Sequence, residues 1–123
     1  MAMARFRLSL LARAGIAQIL ATSAERWGLE GRRRYAAILA AGMRKVAGEP
    51  QGPTTRDRAD LFEGVRSFHL RNARAPVAKP KAKRPAHVLY YRVVQPGLVE
   101  IARVLHERME PSRHIGMEND PSS

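Results

Sequence analysis

The sequence predicts an α+β fold with the element order β-α-α-β-β-β, in which an antiparallel sheet packs against an N-terminal helical hairpin. Two observations predict it. Between Ser9 and Ala47, apolar residues recur every three or four positions, as on one face of a helix, with Gly28 near the middle. Three later segments are rich in β-branched and aromatic residues, which is typical of strands. At 123 residues, the chain is expected to form a single domain.

The N-terminal half predicts one strand and two helices. Apolar and polar residues alternate from Met3 to Leu8, which is the period of a strand, and Ser9 follows as a helix N-cap. Gly28 ends the first helix, and a second helix is predicted from about Glu30 to Ala47. Because the turn between them is so short, the helices are expected to pack antiparallel. The residues expected to have structural roles here are Ile16, Ile19, Leu39 and Trp27, the last locking the turn.

The C-terminal half predicts three strands after a polar connector from Gln51 to Asp60. Pro96 and Gly97 form a tight turn, so the last two strands are expected to pair as a hairpin. The final strand is apolar on both faces, as expected for a central strand covered by helices. The predicted strands are Val65 to Arg71, His87 to Val94 and Leu98 to Leu105.

One segment differs in composition from the rest of the domain. Ala73 to Ala86 contains three prolines and four closely spaced cations, which is typical of an extended, flexible loop. Residues 116–123 are polar and are expected to form a disordered tail. The predicted organisation is therefore one domain over residues 1–115, with residues 73–86 as a flexible insertion.

The charge balance favours an anionic partner. Twenty-two Lys and Arg against eleven Asp and Glu give a net charge of +11, which suits nucleic acid, an acidic protein or an anionic membrane surface. The chain has no cysteine, so disulfides, thiolate metal ligands and thiol nucleophiles are excluded. No metal site or cofactor is expected. No apolar run is long enough to span a membrane and no signal peptide is expected, so the sequence predicts a cytoplasmic protein.

Three stretches resemble the ParE branch of the RelE/ParE toxin superfamily. They are AERWG (Ala24 to Gly28), GVRSFHL (Gly64 to Leu70) and YYRVVQPGLVEIARVLHERMEPSRHI (Tyr90 to Ile115). The resemblance implies a toxin that poisons DNA gyrase by protein–protein contact. It also implies neutralisation by a ParD-type antitoxin, whose C-terminal segment wraps the toxin as a helix and an extended strand. The Pro- and Lys-rich insertion departs from the short turn that most members of the family have at this point.

A basic field marks the candidate binding surface. Between Gly64 and Val99 there are eight Lys and Arg and no acidic residue. The lysines of the insertion are interpreted as solvated, whereas strand arginines among aromatic residues are typical of a receptor for an acidic segment or for the target. The residues expected to bind antitoxin or target are Arg66, Phe68, Arg71, Tyr90, Arg92, His106, Arg108 and Arg113.

Two other functions stay open. RNA cleavage by a RelE-like or YoeB-like nuclease would need a base, an acid and phosphate-binding cations, and His87, Arg71, Arg92 and His106 could supply them. His87, just before LYYRV, resembles a histidine of the YoeB-like enzymes, but the C-terminal tyrosine of those nucleases is missing here. The third hypothesis is an inactive relic of the family. In the leading interpretation the protein is not an enzyme and has no catalytic residue.

Overall fold

The computed structural model describes residues 4–73 and 84–115 and confirms the predicted α+β fold. Most of the predicted insertion and the whole predicted tail lie outside these residues. The regular elements are β1 (Arg5–Leu8), α1 (Leu10–Gly48), β2 (Thr55–Asp57), β3 (Arg66–His69), β4 (His87–Gln95) and β5 (Leu98–His106), with short 3₁₀ turns at Leu70–Asn72 and Pro111–Arg113.

Helix α1 begins at a capped N-terminus and is broken at one glycine. The Ser9 side chain accepts a hydrogen bond from the Ala12 amide at 3.0 Å, which confirms the predicted N-cap. Gly28 has φ 73° and ψ −174°, a conformation open almost only to glycine. It divides α1 into a first arm, residues 10–27, and a second arm, residues 29–48. In the described part of the chain, no helix has an apolar run able to cross a membrane.

The chain reverses direction at Gly28, as predicted for a helical hairpin. Gly15 on the first arm lies against the carbonyl oxygen of Val104 on β5, and Gly42 on the second arm lies against the Leu89 side chain on β4. Val104 and Leu89 are directly opposite each other on paired strands. Because a continuous helix would separate positions 15 and 42 by about 40 Å, only a reversal brings both onto the same level of the sheet.

The sheet has the strand order β1-β5-β4-β3-β2 and differs from the prediction in two respects. Strand β1 runs parallel to β5, so the sheet is mixed and not wholly antiparallel. No tight turn joins β1 to β5, so turn geometry does not fix their pairing direction. The connector predicted as irregular contains β2, which pairs with the edge of β3. The polar residues of β2 suit an edge strand, where water satisfies the side chains that face away from the sheet.

Two apolar clusters lie on opposite faces of the sheet, and β5 contributes to both. The larger one is enclosed by the helical hairpin; Leu39 is fully buried in it, and Ile16 and Ile19 pack against it. The smaller one contains Val65, Tyr90, Leu105 and Ile115. Strand β5 is central, as predicted, but the C-terminal segment carrying Ile115 covers its second face where helices were expected.

Trp27 is not a core residue, which corrects the structural role predicted for it. Its side chain is 48% exposed, because the reversal at Gly28 places residue 27 at the tip of the hairpin, past the end of the packed arms. The buried residue of this turn is Gly31, where a Cβ atom would lie 2.2 Å from the Cβ of Trp27. Close packing at the turn therefore depends on the absence of a side chain at position 31.

We predict that Gly28→Ala destabilises the domain by roughly 1–3 kcal/mol, because a residue with a Cβ is strained in this backbone conformation. Gly48→Ala is the matched control, since apart from its chain neighbours and the adjacent helix backbone no described atom lies within 4 Å of the position its Cβ would take. Urea denaturation of both variants measures the difference. Equal unfolding midpoints for the two variants would show that the reversal does not need a glycine.

Candidate functional site

A long groove opens between the two arms of the hairpin and the C-terminal end of β5. Its volume is about 870 Å³, within the range of pockets that bind ligands or peptide side chains. Apolar and small residues form most of its walls. Among the described lining residues the charged side chains are four arginines, with no Asp or Glu; they are Arg26, Arg34, Arg84 and Arg103. The groove therefore offers an apolar surface bordered by positive charge.

A hydrogen-bonded tyrosine–histidine pair lies in the wall of the groove. The Tyr35 hydroxyl accepts a hydrogen bond from the Ala86 amide at 3.1 Å and lies 2.6 Å from Nδ1 of His87. We assign the proton of that hydroxyl to this contact, which makes Nδ1 of His87 the acceptor. The ring of His106 lies edge-on to that of His87, with centroids 5.3 Å apart. The pair thus joins the second arm to the first residue of β4.

Burial sets the charge state of this pair. Burial and, to a lesser extent, the neighbouring His106 lower the pKa of His87 to about 4. Burial also raises the pKa of Tyr35. At neutral pH His87 is therefore neutral and Tyr35 is protonated. An imidazole with so low a pKa is a poor general base near pH 7, so this geometry does not favour the nuclease hypothesis for His87.

A second histidine, His69, contacts the Glu107 side chain at the same end of the sheet. Nδ1 of His69 accepts a hydrogen bond from the Arg71 amide at 3.0 Å, so its proton is on Nε2, which lies 2.7 Å from the Glu107 carboxylate. This contact lowers the pKa of Glu107. Within residues 4–73 and 84–115, no three His, Cys, Asp or Glu side chains come together as a metal site would require.

Four of the residues predicted to bind a partner are instead engaged inside the domain. Phe68 and Tyr90 are 1% and 5% exposed, in the two cores, which corrects their assignment to a binding surface. Arg66 donates hydrogen bonds to the Pro50 carbonyl and to the Thr55 hydroxyl. Arg92 forms a 3.3 Å ion pair with Glu100. The partners of these arginines lie on neighbouring strands and loops. They cannot be recognised from the sequence of the strand that carries the arginine.

The other predicted residues are not engaged in the core. His106 lines it, and Arg71 lines a small adjoining pocket together with Arg84 and Glu107. Arg108 and Arg113 are exposed on the C-terminal segment. These four positions remain candidates for binding.

The sequence patterns did not indicate most of the residues that line the groove. Arg34 and Tyr35 were read only as parts of a helix, and Met109 was not considered. The signal that could have found them is the position of Trp27, a large aromatic residue at the end of a helix where a core residue has little to pack against. Trp27 and Met109 are 48% and 44% exposed, and both line the groove. They are large apolar side chains that are partly exposed at the groove.

Comparison with known proteins places this groove in a family context. A family model described as the ParE toxin of the type II toxin–antitoxin system parDE matches residues 6–111. A toxin named ParE1 from Caulobacter vibrioides is 35% identical over 112 residues, covering 90% of this chain and 97% of that protein. A toxin named ParE1 from Mycobacterium tuberculosis is 27% identical over 111 residues, with the same coverage.

The fold is also similar to a solved structure. A chain from the structure titled "Chromosomal ParDE TA system from P. aeruginosa" superimposes with a TM-score of 0.59, covering 85% of this chain and 95% of that one. The sequence identity is 16%, so this likeness concerns the fold alone.

We predict that the domain loses stability through His87 as the pH falls. The pKa of His87 is about 4 in the folded protein and about 6.5 in the unfolded chain, so the unfolded state binds the proton more readily below pH 6.5. The contribution of neutral His87 to the free energy of unfolding is fully present above pH 6.5 and is lost as the pH falls through about 4. Because His87 is partly exposed, screening limits the loss to roughly 1–2 kcal/mol.

The measurement is thermal unfolding of the wild type and of His87→Gln at several values between pH 7 and pH 4. Other groups titrate in this range, so the difference between the two proteins isolates His87. The wild type should lose more stability than the variant. Parallel curves for the two proteins would contradict the buried, neutral state of His87.

Proposed function

The chain belongs to the ParE toxin family of type II toxin–antitoxin systems, and we propose that it is held inactive by a ParD-like antitoxin whose acidic C-terminal segment occupies the groove. The observation that carries this proposal is the charge of the groove: four arginines and no carboxylate among its described lining residues. Such a surface is complementary to an acidic segment and speeds its association.

The shape of the groove supports a helical occupant. An amphipathic helix binds a partner by placing an apolar stripe into a hydrophobic groove. Trp27 at the hairpin tip and Met109 beyond β5 supply exposed apolar contacts. Tryptophan is also one of the residue types that contribute most binding energy at interfaces. We therefore propose that the antitoxin helix packs its apolar face on these two residues and directs its acidic residues to the arginines.

The edge of the sheet supports an extended occupant beside that helix. The Arg5 and Ser9 amides donate to carbonyls of Gly97 and Ile101. The intervening residues Phe6 and Leu8 therefore direct their backbone groups away from β5. In the described sheet β1 has a neighbour on one side only. A strand of the antitoxin can pair with these groups by β-addition.

We further propose that the free toxin inhibits DNA gyrase by protein–protein contact. Family membership supports this, as does the low pKa of His87, which makes this residue a poor general base near pH 7. The surface we assign to gyrase comprises Arg71, Arg108 and Arg113, which are exposed in the segments that follow β3 and β5. The test is a supercoiling assay with purified gyrase, with and without antitoxin.

Trp27→Ala is predicted to weaken antitoxin binding by roughly 30-fold or more, the loss expected for an interface tryptophan of about 2 kcal/mol. Its melting temperature should change little, because the side chain is half exposed. Leu29→Ala is the matched control: Leu29 is 71% exposed on the same hairpin but does not line the groove. Equal affinities for the two variants, measured by calorimetry with the antitoxin of the neighbouring reading frame, would place the partner elsewhere.

A triple variant in which Gln replaces Arg71, Arg108 and Arg113 is predicted to lose most gyrase inhibition, because complementary charges speed the association of two proteins and fix their relative orientation. Its affinity for the antitoxin should stay within a few-fold of the wild-type affinity. Arg44→Gln is the control, an exposed arginine on the second arm. Inhibition of supercoiling is measured in vitro. After the toxin is induced in a bacterial host, the extent of DNA damage is compared with the extent of mRNA cleavage. If the wild-type toxin leaves gyrase activity unchanged but causes extensive mRNA cleavage, the nuclease hypothesis would replace this proposal.

A further inference from the structure

The two histidines of the groove each direct one N–H group that the described residues leave without a hydrogen-bond acceptor. With the Tyr35 hydroxyl assigned as the donor to Nδ1 of His87, the proton of this ring is on Nε2. Nδ1 of His106 accepts from the Arg108 amide at 3.1 Å, so its proton is also on Nε2. Neither Nε2 atom has a hydrogen bond within residues 4–73 and 84–115. Two ring N–H donors therefore remain on facing residues of β4 and β5.

The surroundings of these donors favour an anion. Arg84 precedes β4 and lines the same groove, as does Arg103 on β5. The nearby carboxylate of Glu107 is already bound to His69 at 2.7 Å, and Glu107 does not line the groove. Positive charge and unused donors thus occur together at one end of the groove, with no acid among its described lining residues.

We infer that the His87–His106 end of the groove is a carboxylate-binding subsite, which takes one acidic side chain of the antitoxin segment. The two rings lie on paired residues with centroids 5.3 Å apart, so their two N–H donors are close enough to serve one carboxylate. Hydrogen bonds to an ionised acceptor are stronger than those between neutral groups. This inference rests on the proposed function, since it assumes that an acidic segment enters the groove. It adds the position at which that segment must carry an Asp or Glu.

The low pKa of His87 is consistent with this role. At neutral pH the ring stays uncharged, with Nδ1 occupied by Tyr35 and Nε2 carrying the proton. The donor geometry is therefore in place before a partner arrives, so binding does not require the ring to change its protonation state.

The first experiment titrates acetate into the full chain, with sodium chloride as the ionic-strength control and inorganic phosphate in parallel. Imidazole ¹⁵N resonances of all four histidines are followed by NMR at neutral pH. Saturable shifts at His87 and His106, with His69 and His114 unmoved, are expected. Equal, non-saturating shifts at all four rings would overturn the inference. Saturation by phosphate at concentrations where acetate has no effect would also overturn it, and would indicate a phosphate group such as that of a nucleic acid.

The second experiment uses a matched pair of variants at position 106. In His106→Gln the side-chain amide nitrogen replaces Nε2, so the donor is kept. In His106→Asn the side chain can still accept from the Arg108 amide, but the donor is lost. Acetate affinity should fall about tenfold in His106→Asn, the loss expected for one hydrogen bond to a charged group, and should stay close to wild type in His106→Gln.

The same pair separates this inference from the proposed function. If the antitoxin binds wild type, His106→Gln and His106→Asn equally, the subsite is wrong while the groove proposal stands. If the antitoxin binds none of them although all three proteins are folded, the proposed function fails and the inference fails with it. Weaker binding to His106→Asn alone, with equal melting temperatures, supports both.

Discussion

The reversal of the chain at Gly28 is the constraint on which the rest of the structure depends. A backbone conformation that only glycine adopts readily folds a 39-residue helical segment back on itself. Both arms therefore lie on one face of the sheet, where Gly15 and Gly42 approach paired positions of β5 and β4. The arms enclose the main core near their outer ends. Near the turn, residues of both arms line the groove together with the C-terminal end of β5, and the half-exposed Trp27 is among them.

Two groups of arginines in the described residues have different roles. Arg7, Arg66 and Arg92 hold strands and loops together; Glu100, for example, contacts Arg7 and Arg92 on its two neighbouring strands. Those bordering the groove surround apolar walls that contain no described carboxylate. A net charge of +11 therefore overstates the surface available to a partner, and the proposed antitoxin contact is confined to the second group. On the proposed function, this division directs one acidic segment to one place on a strongly basic protein.

Sequence patterns predicted the elements that depend on local chemistry. The N-cap at Ser9, the hairpin at Gly28 and the β4–β5 pairing across Pro96 and Gly97 each follow from residues close in sequence. Features that depend on distant residues were missed: β2, the parallel pairing of β1 and the exposure of Trp27. Periodicity shows that a face is apolar but does not show what covers it, which is why Phe68 and Tyr90 were assigned to a binding surface. The groove could not be predicted because three separate parts of the chain form its walls.

The central claim is that the groove between the hairpin and β5 is the surface that receives the antitoxin. The most direct test is an NMR comparison of the free toxin with its antitoxin complex, using side-chain signals from both faces of the sheet. The account predicts large shifts for the Trp27 indole N–H and the Met109 methyl group. It also predicts nearly unchanged methyl signals for Leu61 and Val65, which pack together on the opposite face. Shifts confined to Leu61 and Val65, with Trp27 and Met109 unmoved, would contradict it.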